Sequence, residues 1–301
     1  MLSKQRTIAQ TISFSGKGLH TGELVTMTIR PAEADSGIVF RRVDLKGAPE
    51  VAALAHNVTD TSRGTTIKDG KAKVSTIEHI LSALWTMGID NALIDINAPE
   101  TPIMDGSAKE YAAEIERVGT TEQEAERRWF EVEEEFVFEI PKKGTKVVIT
   151  PAEEYSVNVT VDYNSTVVGV QQSRYDNTVN YREEIAPCRT FVFLHEIELL
   201  LKLGLIKGGS VESAMVVVEK PISESTRKRI CKTFGRDDIE VEKGYLTHAP
   251  LRFENEIARH KLLDILGDLA LLGRRIKGHV EALRPGHYAN TQMAQQLEKK
   301  L

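Results

Sequence analysis

The chain contains 301 residues, more than one domain usually holds, so its length predicts two domains. The apolar fraction of 41% and the charged fraction of 28% are those of an ordinary soluble globular protein. A net charge of −5 excludes the basic field of a typical nucleic-acid-binding protein, and two cysteines are too few for a disulfide scaffold or a cysteine-rich zinc module.

The first residues lack the apolar core of a signal peptide, and no apolar run approaches the roughly 20 residues that a membrane helix needs. The low cysteine content also suits a reducing compartment. We therefore expect a cytoplasmic protein with no integral membrane segment and no nucleic-acid partner.

The first third of the chain reads as short strands separated by glycine and proline, followed by helices. The predicted strands are Thr11–Phe14, Leu24–Ile29, Gly37–Arg41 and Asn91–Ile96. Between the last two strands, Ser75 is the predicted N-cap of a helix, and Glu78 stands at the capping-box position. A second helix is predicted over Ala108–Val118.

The polar segment Thr120–Arg128 has no apolar periodicity and is predicted to link two domains, residues 1–122 and 129–301. The strands predicted after it are Trp129–Glu139, Thr145–Thr150, Ser156–Asp162, Val211–Val218 and Ile276–Ala282, and the helices are Leu194–Leu203 and Glu254–Leu272. The charged stretch Glu224–Glu242 reads as a surface insertion. Both halves place strands before a histidine-bearing helix, which favours an α+β fold and suggests an internal duplication.

The second long helix carries the first candidate metal ligands. His260, Asp264 and Asp268 follow one another at i, i+4 spacing, so they share one helix face. Apolar residues cover most of the remaining circumference, which predicts a buried helix. A buried carboxylate is costly unless it is paired or binds a cation, and H-x-x-x-D presents two ligands to one ion from adjacent turns. The alternative is a surface His–Asp pair.

The earlier helix offers the missing ligand, because Glu78 and His79 stand together at its amino end. Catalytic zinc commonly has three protein ligands and one open position, which His79, His260 and Asp264 satisfy. Glu78 then stays free to take a proton from water. Its capping-box position alone also explains this residue.

His287 follows a glycine-containing turn near the carboxyl end. A loop histidine is usually solvated, but a protonated imidazole can stabilise an oxyanion or protonate an amine. Asp268 lies one turn beyond Asp264 and can orient such an imidazole and raise its pKa.

Several segments together resemble one family, the UDP-3-O-acyl-N-acetylglucosamine deacetylases of lipid A biosynthesis, or LpxC family. The resemblance runs nearly end to end, and its motifs come in the family's order and spacing. The segments are Gly16–Gly22, Thr76–Leu84, Pro102–Ser107, Arg189–Phe191, Gly208–Ser210, His260–Leu269 and Gly286–His287.

The resemblance implies a zinc enzyme that removes the N-acetyl group of an acylated UDP-sugar. His79, His260 and Asp264 match the family's zinc ligands, and Glu78 matches its general base. His287 matches a second catalytic group that Asp268 keeps charged.

The resemblance also implies residues that contact the substrate. Thr190 is similar to the hydroxyl that helps to polarise the substrate carbonyl, and Lys261 matches a lysine near the diphosphate and sugar. Phe191 begins an apolar stretch at the place of the family's βαβ insertion, which resembles a passage for the acyl chain. The pattern alone is equally typical of a core helix. The implied fold has two similar sheet-and-helix sandwich domains, with the active site between them and this insertion in the second.

Two alternatives use the same residues. Another zinc amidase or a peptidase follows the same ligand logic on a different substrate. A structural metal site needs a fourth protein ligand, for which His20 is the nearest candidate. No feature of the sequence requires more than a monomer.

Overall fold

The computed structural model describes residues 3–197, 213–247 and 249–301. It confirms the expected α+β fold, in which an N-terminal and a C-terminal half each build a five-stranded sheet. The segment Gly208–Ser210 and the end of the predicted helix Leu194–Leu203 lie outside the described residues, although residues 194–197 are helical.

The N-terminal half ends with strand β10. Its strands are β1 (Lys4–Ile8), β2 (Ile12–Lys17), β3 (Leu24–Pro31), β4 (Ile38–Arg42), β5 (Glu50–Ala52), β6 (Val58–Asp60), β7 (Thr66–Asp69), β8 (Ala72–Val74), β9 (Ala92–Ile96) and β10 (Thr120–Glu126). Its helices are α1 (Glu78–Thr86) and α2 (Lys109–Val118).

The C-terminal half begins at strand β11. Its strands are β11 (Trp129–Glu131), β12 (Phe136–Ile140), β13 (Thr145–Thr150), β14 (Ser156–Asp162), β15 (Val170–Tyr175), β16 (Phe191–Phe193), β17 (Met215–Val217), β18 (Val241–Glu242), β19 (Tyr245–Leu246), β20 (Arg275–Lys277) and β21 (His279–Leu283). Its helices are α3 (Tyr181–Glu184), α4 (Glu224–Phe234), α5 (Glu256–Leu269) and α6 (His287–Glu298).

The two five-stranded sheets have the same topology. Their orders are β2-β3-β9-β4-β5 and β12-β13-β21-β14-β15. In both, the central strand is antiparallel to one neighbour and parallel to the other, and it is the last of the five in sequence. The shared plan supports the internal duplication, in which α1 corresponds to α5 and α2 to α6.

The corresponding helices α1 and α5 pack against each other and join the two halves. Their crossing is close at Gly267, where an added Cβ would lie 2.0 Å from the carbonyl oxygen of Glu78. Glycine is therefore required there, because any side chain would push α1 away from α5.

The prediction that Thr120–Arg128 has no regular structure, as a linker, is wrong. Thr120–Glu126 form β10, which pairs antiparallel with β1. Arg127 then donates to Asp90, so the N-terminal half extends at least to this point. A division at residues 122 and 129 therefore stays a proposal.

Other differences concern element ends. The predicted strand Trp129–Glu139 is two strands of different sheets, β11 and β12, and Ile276–Ala282 is divided at Gly278 into β20 and β21. The sequence pattern predicts no helix after Ala282, whereas α6 begins at His287.

An insertion between β15 and α5 has its own small sheet and apolar cluster. Its parallel strands β16 and β17 begin a four-stranded sheet that β19 and β18 complete. Helix α4 contributes Ile230 and Cys231 to a separate apolar cluster with residues of this sheet, and its charged residues face outward. The stretch predicted as a charged surface insertion is therefore largely an amphipathic helix.

Within residues 3–197, 213–247 and 249–301, no helix combines the length and apolar character needed to cross a membrane.

Candidate active site

Three helices direct ionisable side chains into one buried space between the two halves. Glu78 and His79 open α1, His260 and Asp264 lie on one face of α5, and His287 opens α6. The structure therefore brings together residues that are up to 209 positions apart in the chain.

His79, His260 and Asp264 form a compact, buried trio. One ligand atom of each lies within 4.8 Å of the others. Asp264 Oδ1 is 3.3 Å from His260 Nε2 and 3.9 Å from His79 Nε2, and the two imidazole rings meet edge to face. These three residues are the predicted metal ligands.

Neither histidine of the trio carries a positive charge. Burial lowers the pKa of His79 to about 3 and also lowers that of His260, so both rings are neutral at pH 7. His260 Nδ1 lies 3.0 Å from the carbonyl oxygen of Cys188, which can only accept, so this nitrogen carries the proton. His260 Nε2 therefore directs a lone pair at Asp264.

Asp264 is ionised, and among the described residues only one of its two carboxylate oxygens accepts a hydrogen bond. Burial opposes its charge, but His260, Lys261, His287 and His79 outweigh burial and lower its pKa. Its Oδ2 accepts from Lys261 Nζ at 2.6 Å, while Oδ1 receives no hydrogen bond from any residue that the structure describes. A buried anionic oxygen that lies beside two neutral imidazole rings, facing the lone pair of His260, is unfavourable unless a cation lies among them. This donor set fits a divalent metal with one open position.

Glu78 lies beside the trio without belonging to it. Burial is the main cause that raises its pKa to about 7, with Asp268 and Asp264 adding to it and His287 opposing. Its Oε2 accepts from the Thr65 amide at 2.9 Å, and its Oε1 is 4.0 Å from His287 Nε2. A carboxylate whose pKa lies near 7 can both accept and return a proton at neutral pH.

His287 carries a charge despite its burial. Burial disfavours the imidazolium, but Asp268, Asp264 and Glu78 outweigh it and raise the pKa to about 9. His287 Nδ1 donates to Asp268 Oδ2 at 3.0 Å, which turns Nε2 towards the space in front of Asp264, 3.9 Å from its Oδ2. The helix α6 begins at His287, so the expectation of a loop histidine is wrong.

The capping-box prediction at α1 is also wrong. The helix begins at Glu78, whose carboxylate bonds to Thr65, and Ser75 donates to the carbonyl of Pro99 instead. The preceding turn is strained, because Thr76 has a φ of +57°. Its hydroxyl donates to the buried carboxylate of Glu100, which holds the turn in place.

Of the three residues expected to act on the substrate, Lys261 and Phe191 lie beside the trio. The Phe191 ring stands edge-on to His260 with centroids 6.5 Å apart, and Lys261 Nζ lies 5.7 Å from the centre of the Phe191 ring. Thr190 directly precedes β16, and its backbone bonds to Gly106 and Met215. The rival ligand His20 instead directs its Nε2 at the carbonyl of Arg63.

Two residues of the site were missed by the sequence analysis. Thr65 bonds to both Glu78 and Asp268, and Asn290 donates to Asp268. Asn290 stands three residues after His287, on the same helix face, so helical periodicity could have indicated it. The contacts of Thr65 depend on tertiary structure alone.

Comparison with known proteins gives one family across the chain. The sequence model of the family described as LpxC, UDP-3-O-acyl N-acetylglycosamine deacetylase, matches residues 5–236 and 239–299. One relative is the bifunctional enzyme LpxC/FabZ of Bacteroides thetaiotaomicron, 44% identical over 99% of this chain. The chain spans 65% of that relative's length, and the same share of a second bifunctional relative, from Porphyromonas gingivalis, at 41% identity over the whole of this chain.

A single-function relative is covered more fully. The UDP-3-O-acyl-N-acetylglucosamine deacetylase of Teredinibacter turnerae is 38% identical, with 99% of this chain and 91% of the relative aligned.

Substitution of Asp264 tests the metal trio. We expect Asp264→Ala to reduce zinc affinity by at least about 100-fold, because a ligand and its negative charge are lost. Isothermal titration of the metal-free protein with zinc measures this change. The control is Asp44→Asn, in a carboxylate that bonds to Arg42. Unchanged zinc affinity in Asp264→Ala would place the metal elsewhere.

Proposed function

This chain belongs to the LpxC family of UDP-3-O-acyl N-acetylglycosamine deacetylases, and from that premise we propose its reaction. The protein hydrolyses the N-acetyl group of UDP-3-O-acyl-N-acetylglucosamine and releases acetate and the UDP-3-O-acyl-glucosamine. This is the committed step of lipid A biosynthesis. The observation that carries the proposal is the unsatisfied Oδ1 of Asp264 between two neutral histidines, with an acid–base pair beside it.

The proposed cofactor is Zn2+, held by His79, His260 and Asp264. Two imidazole nitrogens and one carboxylate oxygen are a donor set typical of catalytic zinc. When bound, zinc supplies Lewis-acid chemistry, polarising a carbonyl and making water more acidic.

Glu78 is the proposed general base. Its Oε1 is the carboxylate oxygen left free of the Thr65 amide, and it faces the space in front of the trio. A pKa of about 7 lets it accept the proton of the attacking water at neutral pH and still give that proton back.

His287 is the proposed electrophilic group. With its pKa raised to about 9, its Nε2 holds a proton at pH 7 and can donate to the oxyanion that forms on the acetamide carbonyl. Asp268 keeps this ring charged and oriented through Nδ1. Thr190 is proposed as a second donor to the same oxygen. The departing amine takes its proton from His287 or from Glu78, and the geometry is compatible with either.

The proposed substrate contacts continue from the trio along β16. Lys261 donates to Asp264 and lies against the Phe191 ring, and its remaining N–H donors are proposed to bind the diphosphate and sugar. Phe191, Phe193 and Tyr163 form an aromatic group, with ring centroids 5.5–6.3 Å apart. Such a surface suits the 3-O-acyl chain.

The proposal places the enzyme in the cytoplasm and needs only one chain. Cys188 and Cys231 are both buried with free thiols, which suits a reducing compartment. Every residue in the proposed mechanism comes from the same chain, so a monomer suffices.

The direct test is acetate release from UDP-3-O-acyl-N-acetylglucosamine by the zinc-loaded protein. We expect turnover that chelator abolishes and added zinc restores, and no cleavage of a set of unstructured peptides. Peptide cleavage without acetate release would favour the alternative of a peptidase. Deacetylation that persists after complete metal removal would contradict the proposed cofactor.

Substitution of the two proton-handling residues separates catalysis from metal binding. We expect Glu78→Gln and His287→Ala each to keep one zinc per chain while the rate of acetate release falls by at least about 100-fold. Metal analysis and steady-state rates on the same samples measure both quantities. The control is Glu254→Gln, in an exposed carboxylate just before α5. Loss of zinc in His287→Ala would make His287 a ligand instead.

The pH profile of kcat/KM should be bell-shaped, because Glu78 acts as the anion and His287 as the cation. The acid limb then lies at or below about pH 7 and the basic limb near pH 9. Asp268→Asn removes the anion that contributes most to raising the pKa of His287, so the basic limb should move to lower pH by about one unit or more. A basic limb that stays in place would assign it to another group.

A further inference from the structure

Thr65 bonds to Glu78 and to Asp268, the partner of His287. It is fully buried at the end of the loop between β6 and β7. Its amide donates to Glu78 Oε2 at 2.9 Å, and its hydroxyl donates to Asp268 Oδ1 at 2.5 Å. Its carbonyl accepts from the Ile77 amide at the start of α1. One residue of the N-terminal half thus holds carboxylates from α1 and from α5.

The Thr65 hydroxyl fixes the rotation of the Asp268 carboxylate. Asp268 Oδ2 accepts from His287 Nδ1 and from Asn290 Nδ2. Among the described residues, Thr65 is the one hydrogen-bond donor to the other oxygen, Oδ1. The 2.5 Å contact is in the range of a strong hydroxyl–carboxylate hydrogen bond. Without it, the carboxylate can turn about its χ2 angle and carry the His287 ring with it.

The hydrogen bond from the Thr65 amide determines which carboxylate oxygen of Glu78 lies towards His287. Because Oε2 is occupied by this amide, Oε1 is left towards His287 Nε2, 4.0 Å away. The neighbouring Gly64 leaves room for this arrangement, since a Cβ there would lie 2.9 Å from Oε1. Thr65 is therefore bonded directly to Glu78 and, through Asp268, to His287.

We propose that Thr65 is a positioning residue that sets the relative placement of Glu78 and His287 for the hydrolysis of the substrate amide. This inference rests on the proposed function. Among the described residues, no hydrogen bond joins Thr65 to the metal trio, so it acts through Glu78 and Asp268. Its hydroxyl affects the rate of the chemical step and leaves substrate affinity and zinc binding as they are.

The test compares Thr65→Val with Thr65→Ser in the zinc-loaded protein, using acetate release. Valine keeps the shape and the amide but loses the hydroxyl, and serine keeps the hydroxyl. We expect Thr65→Val to lower kcat by about tenfold or more, as typical for a hydrogen bond to a charged group, with KM within about twofold and zinc unchanged. Thr65→Ser should recover most of the lost kcat.

The matched control is Thr66→Val, in the next residue, which is also buried but contacts neither carboxylate by a hydrogen bond among the described residues. An equal loss of kcat in Thr66→Val would attribute the effect to the packing of this loop and overturn the proposal. A kcat within about twofold of wild type in Thr65→Val, or a Thr65→Ser variant as slow as Thr65→Val, would overturn it as well.

A second readout does not depend on turnover. In protein labelled with 15N-histidine, the proton on His287 Nδ1 reports its hydrogen bond to Asp268. Its resonance should move upfield or broaden in Thr65→Val and stay in place in Thr65→Ser and Thr66→Val. An unmoved resonance in Thr65→Val would contradict the role of the hydroxyl. Absence of acetate release by the wild-type protein would instead refute the proposed function, and the resonance would still test the coupling.

Discussion

The site depends on the close approach of α1 and α5. Where these helices cross, the backbone of Glu78 comes so near to Gly267 that a Cβ would lie 2.0 Å from the Glu78 carbonyl oxygen. This contact sets His79 against His260 and Asp264, because each ligand projects from the same short stretch of its helix. A wider crossing would separate one histidine from the other two ligands. The glycine therefore serves the site through the spacing of the helices.

The balance between burial and neighbouring charges then sets the charge of each group in this space. At His79 and His260 burial outweighs the effect of Asp264, so both rings become neutral, which is the state that a metal ligand needs. The pKa of Glu78 is raised to about 7. His287 keeps its proton because three nearby carboxylates raise its pKa. Residues of the same type thus differ in protonation through their neighbours. The two histidines of the trio and His287 illustrate this most clearly.

The grouping of His79, His260 and Asp264 could be predicted from the sequence, and much of its surroundings could not. His260 and Asp264 share a helix face by spacing alone, and Glu78 and His79 are adjacent in the chain, so local periodicity carried these predictions. The contact of Thr65 with Asp268 joins residues 203 positions apart, which no local pattern contains. The capping box failed for a related reason: the Glu78 carboxylate has a partner in tertiary structure, the Thr65 amide, and Glu100 holds the turn before the helix. The segment Thr120–Glu126 appeared to be a linker because its residues are polar, but pairing with β1 stabilises it as a strand.

The duplicated topology explains why the site lies where it does. In each half, an insertion follows an edge strand of the sheet and precedes the helix of the α1–α5 pair: β6–β8 lie between β5 and α1, and β16–β19 lie between β15 and α5. Because α1 and α5 meet across the interface, both insertions begin or end close to the helix ends that carry the ionisable residues. The first insertion provides Thr65, behind Glu78 and Asp268, and the second provides Phe191, beside His260 and Lys261. Equivalent insertions thus differ in the proposed mechanism, where the first positions the proton-handling residues and the second borders the acyl chain.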